Sequence, residues 1–204
     1  MIYPTYELEE QAKSKGHKYI VGVDEAGRGP GAGPVVAAAV HIPDENMSLF
    51  IDKVNDSKKM TAKRREEMYS VIKEHCDVGI QAIEAVVIDD INILEATKIA
   101  MKSAIEQLEY FDYILIDGTV DLSKQITYCQ QEQVIKGDAK SISIAAASVI
   151  AKVTRDRIME ELHILFPIYG WDTNKGYLTK KHIEAINTYG ITDFHRQSFK
   201  RVGK

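Results

Sequence analysis

The chain is poor in several features that would mark whole classes of protein. It has two cysteines, Cys76 and Cys129, with no metal-site spacing. That is too few for a disulfide framework, and both read as reduced thiols in a cytoplasmic protein. No apolar run approaches the roughly 20 residues of a membrane-crossing helix, so no membrane partner is expected. The first residues, Met1 to Gly16, are acidic and polar, without the basic start and apolar stretch of a secretory leader. Low-complexity tracts and internal repeats are missing too. A net charge of -4 supplies no overall pull toward nucleic acid.

What is present is an ordinary globular balance over 204 residues, 45% hydrophobic and 27% charged, enough for one large domain or two small ones. Charge is segregated, however. From Lys175 to Lys204 there are seven basic residues against two acidic ones, Glu184 and Asp193. Composition alone reads this as a solvated tail; beside a phosphate-directed site it becomes a contact surface.

Patterning predicts strands over Lys18 to Val23 and Val35 to Ile42, joined by a glycine-proline stretch from Gly27 to Pro34. Thr61 caps a helix running to about His75. An alternating segment, Val78 to Val87, reads as a strand, and Ile91 to Leu108 as one long helix. Tyr113 to Ile116 is a short apolar strand, and Ile126 to Ile135 holds another. Ser141 to Leu165 is a long helix stopped by Pro167, and Thr179 to Thr188 a last one ended by Gly190. The mixture predicts an α/β domain around a mixed sheet, residues 1–166, with a small helical C-terminal extension, residues 167–204, packed on it.

Three carboxylate-bearing segments stand where elements end. Asp24 and Glu25 sit where an apolar strand meets a glycine-rich turn. Since neighbouring strand residues face opposite ways, both serve one site only if the strand breaks there. Asp117 closes an apolar strand, where open α/β sheets place ligands. Asp138 stands just ahead of the long helix. Alone, each acid reads as a turn or cap residue. Together, if they converge, their repulsion calls for hard divalent cations. Two such ions about 4 Å apart activate a water and stabilise the leaving oxygen of a phosphodiester.

In the long helix, Ile142, Ala145, Ala146, Val149, Ile150 and Val153 form a core-facing stripe, while Ser141, Ser148, Lys152 and Arg155 form another. The glycines of AGRGPGAGP do not match the dinucleotide fingerprint, because they alternate, prolines interrupt them and a strand follows. Close backbone approach to a sugar-phosphate suits them better.

These segments together resemble type 2 ribonuclease H. The motifs are VGVDEAGRGPGAGPVVAAAV (Val21 to Val40), DSKKM (Asp56 to Met60), ILIDG (Ile114 to Gly118), KGDAKSISIAAASVIAKVTRDRIM (Lys136 to Met159), NKGYLTKKH (Asn174 to His182) and HRQSF (His195 to Phe199), in the family's order. The resemblance implies a ribonuclease H-like fold and a site of four acids, Asp24, Glu25, Asp117 and Asp138, holding two Mg²⁺ or Mn²⁺ ions. It implies cleavage of RNA in RNA/DNA hybrids and on the 5′ side of single ribonucleotides embedded in duplex DNA, leaving 3′-hydroxyl and 5′-phosphate ends. Gly27, Arg28 and Gly29 match the loop that grips the ribose 2′-hydroxyl, and Tyr177 the ring that stacks on the following deoxyribose. Ser57, Lys58, Lys152 and the C-terminal basic residues become phosphate contacts, and Asp156 a structural ion pair. Two positions depart from the family pattern. Leu178 stands where glycine is common after the tyrosine, which bears on the placement of Tyr177, and Gly31-Ala32 replaces a commoner pair with a larger first residue. Only about 17 residues precede the first strand, which disfavours the related type 3 enzymes with their N-terminal substrate-binding domain. The rival readings are a non-catalytic nucleic-acid-binding module on the same fold and another two-metal nuclease or integrase. Nothing demands an oligomer, and a monomer is expected.

Overall fold

The structure, a computed structural model, describes residues 3–202. Seven helices and five strands run in the order α1 (Glu7–Ser14), β1 (Ile20–Ala26), β2 (Val35–His41), α2 (Ala62–His75), β3 (Asp77–Ile83), α3 (Ala85–Ile91), α4 (Ile93–Ile105), β4 (Tyr113–Asp117), β5 (Gln130–Val134), α5 (Ile142–Leu165), α6 (Trp171–Asn174) and α7 (Lys180–Tyr189), with short 3-10 turns between. The strands form one mixed sheet, β3-β2-β1-β4-β5. The first three are antiparallel neighbours, while β1–β4 and β4–β5 are parallel. This is the mixed α/β architecture that the patterning predicts.

Side-chain alternation divides the sheet into two faces. Val21, Val23, Ala37, Ala39, Ile114 and Ile116 pack against α4 on one side. On the other, Ala38 and Val40 meet α5 and α2. The helix α5 was expected to bury one stripe, yet every residue from Ile142 to Ala151 is buried. Its alanines and Gly22 explain this. A Cβ added at Gly22 would lie 2.1 Å from the Ser143 backbone, so helix and strand touch main chain to main chain.

Several boundaries differ from the sequence expectation. The segment read as a strand to Val87 stops at Ile83 and gives way to α3, and the helix expected over Ile91 to Leu108 is the single helix α4, separated from α3 by a break. The break lies at Asn92, whose φ is +69° and whose side chain accepts hydrogen bonds from the Leu94 and Glu95 N–H groups. Period-2 alternation of apolar residues in a short segment had masked a half-exposed helix. The segment from Ile126 pairs only over Gln130–Val134. The unassigned N-terminal stretch forms α1, whose Glu9 takes hydrogen bonds from the Ser141 and Ser143 hydroxyls at the start of α5.

Beyond Pro167, α6 and α7 build a small core of their own with Trp171, Tyr169, Ala185 and Ile186 against Met159 and Leu162 of α5. The supposed basic tail is not one surface. Arg196 is fully buried, Lys175 pairs with Glu160 at 2.6 Å, and Lys204 lies outside the described residues. No helix among the described residues is long and apolar enough to cross a membrane.

Candidate active site

Register determines how the acids meet. The last β1–β4 pair is Val23 with Ile116, so Asp24 and Asp117 are the next residues on neighbouring parallel strands. Both belong to the α5 side of the sheet, where α5 carries Ser148 to the Asp24 carboxylate. Glu25 follows on the other face. β1 does not break there, contrary to the condition drawn from the sequence: it stays paired to β2 through Ala26 and Val36. What frees the two acids is that the β1–β4 pairing on their other side has already ended at Val23 and Ile116. Asp138 arrives by a different route. The turn after β5 passes through Lys136, at φ +55°, and the Gly137 and Asp138 N–H groups donate to Asp117 Oδ1 at 2.6 and 3.4 Å. Asp138 is not the cap of α5, a role taken by Ser141.

The electrostatics are those of a site short of positive charge. Burial pushes the Asp24 carboxyl well above the usual carboxylate range, and the charges of Glu25 and Asp117 push it further. Glu25 is raised chiefly by burial, against the pull of Arg28, whose Nη1 lies 3.3 Å from Glu25 Oε1. Asp138 is raised by burial and by the charges of Asp117 and Asp56. Buried Glu25 Oε2 has no hydrogen-bond partner. Carboxylates in this condition favour either protons or a hard cation. Among the described residues no three His, Cys, Asp or Glu side chains form a ready cage for an ion. Mg²⁺ does not require one, because it keeps water and phosphate oxygens in its shell. The orphaned Glu25 oxygen and the all-oxygen donor set therefore fit a hydrated divalent ion.

A cleft of about 310 Å³ opens over Asp24 and Glu25, walled by the Gly27–Gly29 loop, Ser57, Lys58, Lys152 and Tyr177. The loop and the tyrosine are neighbours: a Cβ added at Gly29 would lie 3.6 Å from Tyr177 Cε1, and the ring is half exposed. Ser57 is held by a 2.9 Å hydroxyl–hydroxyl bond to Ser148. Lys152 lines the wall but pairs with Asp156 at 2.7 Å, the ion pair expected of Asp156. A larger hollow, about 680 Å³, lies at the opposite end of the sheet around Tyr19, Asp77 and Tyr110. It gathers no cluster of acids, so size does not point to the chemistry here.

Two departures noted in the sequence meet in space. Leu178 lies over Gly31, where an added Cβ would come within 2.8 Å of the leucine Cδ2. The small residue makes room for the large one, and Tyr177 keeps its backbone anchor through the Asn174 carbonyl at 2.9 Å.

Sequence reasoning placed Arg155 only on a helix stripe and Arg196 only among the phosphate contacts, and missed that both are buried. Arg155 and Arg196 are both buried and donate to backbone carbonyls: Arg155 to Pro34, Ala32 and Lys175, Arg196 to Gly33, Arg28 and Gly27. Gly27, at φ +97°, must be glycine, since its Cβ would lie 2.0 Å from Arg155 Nε. Arginine in a charged tail or on a helix stripe carries no sequence signal of burial. Asp56, beside Asp138, was visible only as part of a motif.

Known proteins resemble this chain over nearly its whole length. Residues 21–202 match the family model for ribonuclease HII. The ribonuclease HII of Enterococcus faecalis is 52% identical over 199 residues, covering 96% of this chain and 75% of that protein. The crystal structure of ribonuclease H2 from Pyrococcus horikoshii superposes with a TM-score of 0.78 at 28% identity, over 91% of this chain and 96% of that one. The structure of Bst-RNase HIII in complex with Mn²⁺ gives 0.74 at 17% identity, over 94% and 70%, a likeness of fold.

Proposed function

The chain belongs to the ribonuclease HII family, a nuclease family acting on RNA/DNA hybrids, and from that membership we propose that its cleft cuts the RNA strand of hybrids and the 5′ side of single ribonucleotides embedded in duplex DNA. The observation that carries the reading is the junction of two devices at one sheet end: under-compensated carboxylates and, beside them, a glycine loop facing an exposed tyrosine ring. Asp24, Glu25, Asp117 and Asp138 would hold two divalent ions, Mg²⁺ or Mn²⁺. When bound, such ions supply an activated water and stabilisation of the leaving oxygen.

The chain's own residues do the rest. Gly27, Arg28 and Gly29 let a sugar approach the backbone, and the 2′-hydroxyl is the group that distinguishes RNA from DNA. Tyr177 offers its ring to the deoxyribose on the 3′ side. Ser57, Lys58 and Lys152 stand where phosphates would pass, Lys152 exchanging Asp156 for a phosphate oxygen. The products are a 3′-hydroxyl and a 5′-phosphate. We assign residues 1–166 to the catalytic domain and residues 167–204 to an extension that supplies Tyr177, and we take the protein to act as a monomer in the cytoplasm.

The test is a labelled DNA duplex containing one ribonucleotide, incubated with the protein and Mg²⁺ or Mn²⁺, with EDTA and Asp24→Asn as controls. A single cut 5′ of the ribonucleotide, absent in both controls, is expected. Cutting of long hybrids alone would remove the role of Tyr177. No cut of either substrate by folded protein would leave a binding module.

A further inference from the structure

We infer that Arg196, braced by Asp89, is the residue that aims the Gly27–Gly29 loop at its ligand. Arg196 is fully buried, and its Nη2 and Nη1 donate to the Gly27 and Arg28 carbonyls at 2.7 and 3.2 Å while its Nε takes the Gly33 carbonyl at 2.9 Å. All peptides here are trans, so a carbonyl turned inward turns the following N–H outward. The Arg28 and Gly29 N–H groups therefore point away from Arg196, which is not part of the cleft wall, toward the side that is. Neither donates to any acceptor among the described residues. Two adjacent free donors, oriented before a ligand arrives, fit an electronegative oxygen, and preorganisation is what makes such donors effective.

Arg196 is itself fixed from behind. The Asp89 carboxylate on α3 accepts the Gln197 and Ser198 N–H groups at 2.7 and 2.9 Å and the Ser198 hydroxyl at 2.6 Å, and the Phe199 ring lies under the guanidinium. The three carbonyls are held by three different nitrogens of one planar fork, a spread of donors that the single ammonium of lysine does not reproduce. Arg196 touches no reacting atom; it is a positioning residue, and its effect on recognition rests on the cleft being the substrate site.

The experiment compares wild type with Arg196→Lys and Asp89→Ala. Backbone ¹⁵N relaxation of the Arg28 and Gly29 amides needs no substrate. Binding of two duplexes that differ by one 2′-hydroxyl, measured with Ca²⁺ in place of Mg²⁺, reads recognition. In Arg196→Lys both amides gain fast motion while those of Asp24 and Glu25 do not, and the preference for the ribonucleotide duplex falls about tenfold, as for loss of a charge-assisted hydrogen bond. Asp89→Ala moves both readouts the same way by a smaller factor, and decides the matter if the lysine variant does not fold. Amides as rigid as in wild type would overturn the inference, and so would mobile amides with an unchanged preference. A wild-type protein with no preference between the duplexes would instead sink the substrate reading, whatever the amides do.

Discussion

Two sets of buried titratable groups, one in the C-terminal extension and one at the sheet end, are built on opposite terms. In the C-terminal extension, Trp171 Nε1 and His195 Nε2 both reach His182 Nε2 at 3.2 Å, His182 Nδ1 reaches the Tyr177 carbonyl at 3.0 Å, and the Thr192 N–H reaches His195 Nδ1 at 3.0 Å. A carbonyl only accepts, so His182 carries its proton on Nδ1. His195 then carries its own on Nε2, and every ring nitrogen is matched with both rings neutral. At the sheet end, by contrast, the carboxylates repel one another and Glu25 Oε2 has no partner. The matched set stabilises the fold. The unmatched set is left with a demand that a proton or a bound cation meets, a condition common at functional sites.

The largest effect expected from breaking this contrast is at Asp24. Asp24→Asn should lower metal-dependent cleavage by about 10³-fold or more, because the divalent ions proposed for this site would lose one of their carboxylates. It should also raise the Tm of the metal-free protein, since a buried charge is removed; thermal unfolding in EDTA reads this, and a lower Tm would mean that the acids are not in conflict. In the matched set the sign reverses. Trp171→Ala should cost about 3–5 kcal/mol, roughly 10 °C in Tm, while leaving divalent-ion binding by the folded protein unchanged. Tyr177→Ala should reduce cleavage at a lone ribonucleotide about tenfold, the value of one stacked ring, and weaken duplex binding less. Equal losses in both would remove the stacking role.

Acidification sets the two groups against each other. His195 is held at about 4 by burial and by His182, so between the ordinary imidazole value near 6.5 and about 4 the unfolded state takes up a proton that the folded state refuses. Stability from the extension is thus whole above pH 6.5 and falls as pH drops. Asp24, Glu25 and Asp138 are raised, so the folded state takes up protons first and gains stability as pH falls through their folded values. In EDTA, Asp24→Asn should therefore lose Tm more steeply from pH 7 to pH 5 than wild type, and parallel curves would separate Asp24 from this balance. The smallest effect is at the Gly31–Leu178 contact. Gly31→Ala should cost on the order of 1 kcal/mol by overpacking, and Leu178→Ala in the same chain should recover most of it, which a double-mutant cycle measures.

Much of this was legible in the residues. The apolar run of β2 and the capped pattern of α2 appear within a residue or two of their expected places. The four acids were found as residues that end elements, and the resemblance supplied their roles together with those of Gly27, Arg28, Gly29 and Tyr177. Less was legible where local pattern and tertiary setting part. α3 looked like strand because its exposed face carries Val86 and Val87. Arg196 looked like tail because nothing in HRQSF says that carbonyls from residues 27, 28 and 33 will surround it.

The sequence by itself determined most of the elements and the family, and it singled out the acids as candidates, because periodicity, caps and carboxylates beside strand ends are local properties of the chain. Only the tertiary structure decided which acids share a face, that β1 runs on past the end of β4, that Leu178 answers Gly31, and that two buried arginines hold carbonyls along the stretch from Gly27 to Pro34. Those outcomes depend on strand register and on contacts between residues as far apart as Gly27 and Arg196, and register becomes definite only when both faces of the sheet are covered.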